Sequence, residues 1–302
     1  MESVSDAQQS AVACKELTFR DIRWPAYIPI AIGIGLLIWL YMPIFRWWHG
    51  MWRMEDSYYS HGYLIPPISG FVVWLKRKRL SEMVVQPWGP GFVLVAFALI
   101  GAIVAAWASA SSVCGLTVPL AVAGISLVLL GWAITRELAF PIGFLYFMCV
   151  LPTFLLTMIS FRIQMLSTAG ATLILRALTF DAYHEGASII LPNVTVLVGS
   201  PCSGFRMSIT LLALLALFLF LTEGPRWGRV FLLFAAIPLA VCVNSIRIAM
   251  VALVGEFMGD GAMRFFHDQI AGPIEIVLAF TMLLLLARLV KCLKFNSMLM
   301  SS

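Results

Sequence analysis

Charge is what this chain has least of. Of its 302 residues only 12% are charged, while 61% are hydrophobic. A soluble globular domain carries about 25% and about 45–50% respectively. That excess of apolar surface is more than one soluble core of this size can bury, so the chain is read as an integral membrane protein. Histidine is scarce too. His49, His61, His184 and His267 are scattered and lack clustered carboxylates, so neither a metal set nor a cofactor is expected. Six cysteines (Cys14, Cys114, Cys149, Cys202, Cys242, Cys292) show no C-x-x-C pair and no zinc spacing. Most lie in apolar runs, where a cysteine behaves as a small hydrophobe, so no disulfide framework is expected. The first twenty residues are polar and mixed in charge. The first apolar run, from about Ala26, is long enough to span rather than be clipped as a signal. Lipidation motifs, low-complexity tracts and internal repeats are not seen.

What is present is a series of eight apolar segments, at residues 27–45, 62–75, 91–110, 116–134, 138–159, 207–221, 230–254 and 270–287. A helix needs about 20 residues to cross the hydrocarbon core, and most of the segments meet this. The second is short and holds Pro66 and Pro67, so it starts nearer Tyr58 or sits partly re-entrant. The formal charge of +5 is explained by where the basic residues fall, not by a nucleic-acid partner. With a cytoplasmic N-terminus, the inner loops hold all five lysines, including those of "KRKR" (Lys76 to Arg79). The fold expected is an all-α integral membrane bundle of about eight transmembrane helices with both termini cytoplasmic. A polar tail over residues 1–24 would precede a single multi-pass domain over 25–302 in the cell (inner or plasma) membrane.

On that topology the four histidines and Cys202 lie at or beyond the outer face. The longest outer connection runs from about Ser160 to Arg206. Its first half has the apolar spacing of an interfacial helix. Its second half has β-branched runs broken by Pro192 and Asn193, and reads as a hairpin-like loop.

Three positions in these outer parts carry chemistry. In "VGSPCSGFRMS", Ser200 is a candidate N-cap and Pro201 fits the first helical position, which puts Cys202 in the first turn of the sixth span. A helix N-terminus favours the thiolate, and the N–H groups of Cys202, Ser203 and Gly204 would face a developing oxyanion. A small residue packing at a helix start would look the same. Arg247, in "VCVNSIRIAMVALVG", is a charge inside an apolar run, which marks a functional site by default; the bland reading is an arginine snorkelling to the interface. Asn244 lies one turn earlier on the same face. His267, in "GDGAMRFFHDQIAG", is a proton carrier suited to neutral pH, though a lone interfacial histidine is more often plain surface; Asp268 is placed to cap the next helix. Taken together, a thiol, a guanidinium and an imidazole on three segments supply the parts that acyl transfer needs. A transporter, or a non-catalytic partner in polysaccharide assembly, would not require that grouping, and both remain open readings.

"PCSGFR", "NSIRI" and "FFHD", in that order on separate spans, resemble the exosortase/archaeosortase family, as does "YYSHGYLIPPISGFVVWLKRKR". The resemblance covers roughly residues 24–288, with no fused second domain. It implies a multi-pass cysteine transpeptidase or endopeptidase, akin to sortases in chemistry but not in fold. The partners it implies are exported proteins bearing a C-terminal sorting tail of the PEP-CTERM type: a short motif, one transmembrane helix and a basic cluster. By position, Cys202 would be the nucleophile, Arg247 the transition-state stabiliser and His267 the proton-transfer residue. Ser203, Gly204, Asn244 and His61 would support them.

Overall fold

A computed structural model describes residues 27–54, 57–199 and 204–295. Of the described residues, 79% are helical. Helix α1 (Tyr27–Arg53) leads through a tight turn (Ser60–Leu64) into α2 (Ile65–Leu75) and α3 (Arg77–Glu82). Pro66 and Pro67 stand at the start of α2, where a missing N–H costs nothing. An antiparallel pair follows, α4 (Gly91–Trp107) and α5 (Ser111–Leu130), then the short α6 (Trp132–Glu137) and α7 (Ala139–Phe144), and the long α8 (Thr153–Ala177). Beyond a small sheet come α9 (Phe205–Leu221), α10 (Arg226–Phe265, interrupted at Gly259) and α11 (Gly272–Leu289).

Among the described residues, four helical stretches are long and apolar enough to cross a membrane: 31–53, 111–130, 153–177 and 226–289, the last containing both α10 and α11. This is a helical membrane protein. Large apolar side chains of α1 and α4, such as Trp39, Phe92, Phe97 and Val104, are exposed, as a lipid-facing surface requires. Between helices small residues allow close approach. A Cβ on Gly124 would stand 2.8 Å from Val95 Cγ2, and one on Gly91 2.8 Å from Leu127 Cβ. Leu211 and Leu215 of α9, Leu232 and Ala236 of α10, and Leu283 of α11 form a buried apolar cluster.

Two expectations from the apolar pattern are corrected. Residues 138–159 are not one helix. The chain breaks at Cys149–Pro152, and α8 then runs unbroken to Ala177. The first half of the supposed outer connection is therefore the body of a 25-residue helix that could itself cross a membrane. Pro152 is the cause: a proline disfavours helical conformation in the residue before it and fits the start of the next helix. The fourth segment also ends earlier than hydropathy suggests. Gly131 (φ 88) stops α5 with the Gln86 carbonyl against its Cα, where no side chain could fit.

Strands β1 (Tyr183–Glu185), β2 (Ser188–Ile190) and β3 (Thr195–Leu197) form an antiparallel sheet in that order. Ile189 and Val196 bury one face of it against Ala171 and Leu175 of α8 and Ile248 and Ala252 of α10. Asn193 donates from its side chain (2.7 Å) and its N–H (3.0 Å) to Glu256, clamping the β2–β3 loop to α10. Gln164 of α8 donates to the Val198 carbonyl. The chain entering residues 200–203 is thus held from two sides. At the other end of α9, β4 (Thr222–Glu223) pairs with β5 (Lys294–Phe295).

Candidate functional site

Arg247 projects from α10 and is 9% exposed. Its Nη2 lies 3.3 Å from His267 Nε2, across a wide π-type turn (Phe266–Ala271) that joins α10 to α11. A guanidinium can only donate, so Nε2 accepts. The proton of the ring is then on Nδ1, which donates to Asp268 Oδ1 at 2.8 Å. Asp268 therefore orients the imidazole and does not cap α11, whose N-cap is Ala271 and has no side-chain cap. On its other edge Arg247 faces a carboxylate missing from the sequence reading: Glu275 Oε2 lies 3.6 Å from Arg247 Nε, with both side chains buried. The signal was available, since Glu275 is the one charge in the last apolar segment before Arg288.

Helix α9 begins at Phe205 with Gly204 as its N-cap, so the cap is Gly204 and not Ser200. Gly204 is left-handed (φ 77), and a Cβ there would come within 2.7 Å of Asn244 Nδ2. Both conditions restrict the position to glycine. Asn244, fully buried one turn before Arg247, is thereby packed against the start of α9. Ser200, Pro201, Cys202 and Ser203 lie outside the described residues.

Two cavities, each of about 420 Å³, meet at Arg247. The first is walled by β3, Val198 and Gly199 on one side and by Arg264, His267 and Asp268 on the other. The second holds His61, Gly204, Arg206, Thr210 and Glu275. His61 thus joins the Arg247 neighbourhood, with Nε2 3.2 Å from the Phe147 carbonyl and Nδ1 3.4 Å from Thr210 Oγ1. His49 and His184 line neither cavity. Gly199 lines the first cavity and Gly204 the second, and in the sequence Cys202 stands between them. Among the described residues no three His, Cys, Asp or Glu side chains gather as a metal set.

A helical membrane bundle with an arginine–histidine pair beside two cavities defines the class. Comparison with known families matches residues 47–287 to the transmembrane exosortase family. That is most of the chain, and the protein belongs to this family. Neither the curated proteins nor the solved structures contain a match.

Proposed function

We propose that this exosortase is a cysteine transpeptidase or endopeptidase that removes the C-terminal sorting tail of exported proteins. The reading is carried by one observation: Arg247 and His267, distant in sequence, meet at 3.3 Å at the edge of a cavity that also receives the chain leading into Cys202. Tails of the PEP-CTERM type, held in the bilayer by their own helix, are the substrates. The surrounding topology is eight crossings of the cell membrane, with both termini cytoplasmic, residues 25–302 forming one domain, and the site facing outward.

The chemistry follows from the parts. His267 Nε2 takes the Cys202 thiol proton, and the Asp268 carboxylate stabilises the imidazolium through Nδ1. The thiolate attacks the carbonyl carbon of the scissile peptide. Negative charge then develops on the carbonyl oxygen, where the Arg247 guanidinium, aided by N–H groups at the start of α9, stabilises it. As the C–N bond breaks, His267 returns its proton to the leaving nitrogen. The thioester left on Cys202 is resolved by water or by an acceptor amine, regenerating the thiol.

The test is a reporter bearing a sorting tail from the same genome, co-expressed with the wild-type chain or with Cys202→Ala. Wild-type processing that vanishes in the variant at equal membrane levels is the expected result. Equal processing by both removes Cys202 from the chemistry.

A further inference from the structure

The second cavity has more positive charge than its own carboxylate can balance. Arg206, from the first turn of α9, and Arg247 both line it; among the described residues the only carboxylate that does so is Glu275. Glu275 is 7% exposed, and among the described residues its ion pair is with Arg247. Arg206 is half-buried, but its Nε and Nη2 atoms are buried and have no hydrogen-bond partner among the described residues, nor does Glu275 Oε1. Buried donors of a charged group without hydrogen-bond partners are costly, and a ligand that accepts from them removes that cost. His61 supplies no free donor there: its Nε2 donates to the Phe147 carbonyl and its Nδ1 lies 3.4 Å from Thr210 Oγ1, so the two arginines are the groups that could receive an anion.

We propose that this second cavity is a subsite for one carboxylate of the polypeptide substrate, bound by the Arg206 guanidinium beside the scissile bond. The proposal rests on the tail-cleaving reading above. A planar guanidinium fork matches a carboxylate in two parallel hydrogen bonds, and a single negative charge would bring the two arginines and Glu275 to balance. The position is apt: Gly204, two residues after Cys202, forms part of the wall, so a guest there lies next to the nucleophile's segment.

The experiment measures binding, not turnover. The Cys202→Ala chain in phosphatidylcholine nanodiscs is titrated with a fluorescent sorting-tail peptide and with variants in which each Asp or Glu is replaced singly by its amide. One amide peptide is expected to bind about tenfold more weakly or worse, as loss of a charged hydrogen bond implies. Adding Arg206→Gln abolishes that preference, while Arg206→Lys keeps the charge and retains part of it, which separates recognition from misfolding. Amide peptides that all bind like the parent, no binding of any peptide, or a preference that survives Arg206→Gln would each overturn the subsite. So would loss of the preference when phosphatidylglycerol replaces phosphatidylcholine, since the pocket would then belong to a lipid phosphate. Cleavage by the wild-type chain is recorded separately. Acid-selective binding without cleavage leaves the subsite standing and removes the enzymatic reading.

Discussion

Arg247 serves two neighbours at once, and its geometry makes the demands separable. Glu275 holds the Nε edge from α11, while Nη2 reaches His267 on the turn before it. Glu275→Gln releases the held edge without changing shape. A misplacement of about an ångström in a catalytic group costs on the order of a hundredfold, so kcat should fall by about that factor. The same change removes the negative charge from the second cavity, and KM for an acidic tail should fall with it. A variant that was merely unfolded would lower processing without tightening substrate binding, so steady-state kinetics on a purified reporter decides between the two. His267→Gln keeps bulk and polarity but loses the proton carrier, and should lower kcat by about 10²–10⁴-fold with membrane levels unchanged. Arg247 and His267 were legible in the sequence because each is polar where its surroundings are not. Glu275 carries the same signal in the last apolar segment. Arg206 does not stand out in the same way, because nothing in a linear sequence tells an arginine snorkelling to the interface from one that lines a cavity.

At the scale of elements, the start of α9 decides whether the site can assemble. Ser200 and Pro201 are sound start signals by composition, yet Gly204 takes the cap, because only glycine permits both its φ of 77 and the approach of Asn244. Gly204→Ala should therefore do more than remove flexibility. The strained backbone costs about 1 kcal/mol or more, and the contact with Asn244 must also give way. A lowered thermal midpoint with near-complete loss of processing is expected, whereas wild-type stability in this variant would show that the close approach is not maintained. The break at Cys149–Pro152 is hidden in the sequence for a different reason. Hydropathy stays high through "FMCVLPTFLLTM", and a window average sees no interruption where the backbone turns. Membrane sequences blunt periodicity as well, since a helix apolar all round gives no face to follow. The sheet was only partly legible: β-branched runs and Pro192 marked an extended loop, but three strands of three residues each leave too little pattern to count.

For the whole molecule, the proposed topology places Lys76–Arg79 and the pairing of β4 with β5 on one side and the Arg247–His267 pair on the other. Alkaline phosphatase fused after Gly261 should be active, and a fusion after Lys78 inactive, with green fluorescent protein giving the converse pattern; the reverse result would turn the site toward the cytoplasm and exclude exported substrates. Composition alone established a membrane protein, and the order of three short motifs agreed with the exosortase family match over residues 47–287. What no composition could supply is the meeting of α9, α10 and α11 around one guanidinium. The central claim is that Cys202 becomes acylated there, and intact-mass spectrometry tests it most directly. Wild-type protein mixed with a sorting-tail peptide and quenched in acid should gain the mass of the peptide's N-terminal fragment on Cys202, and lose it on treatment with hydroxylamine. A tail that is cleaved while the protein mass never changes, or an adduct that persists in Cys202→Ala, would contradict the account.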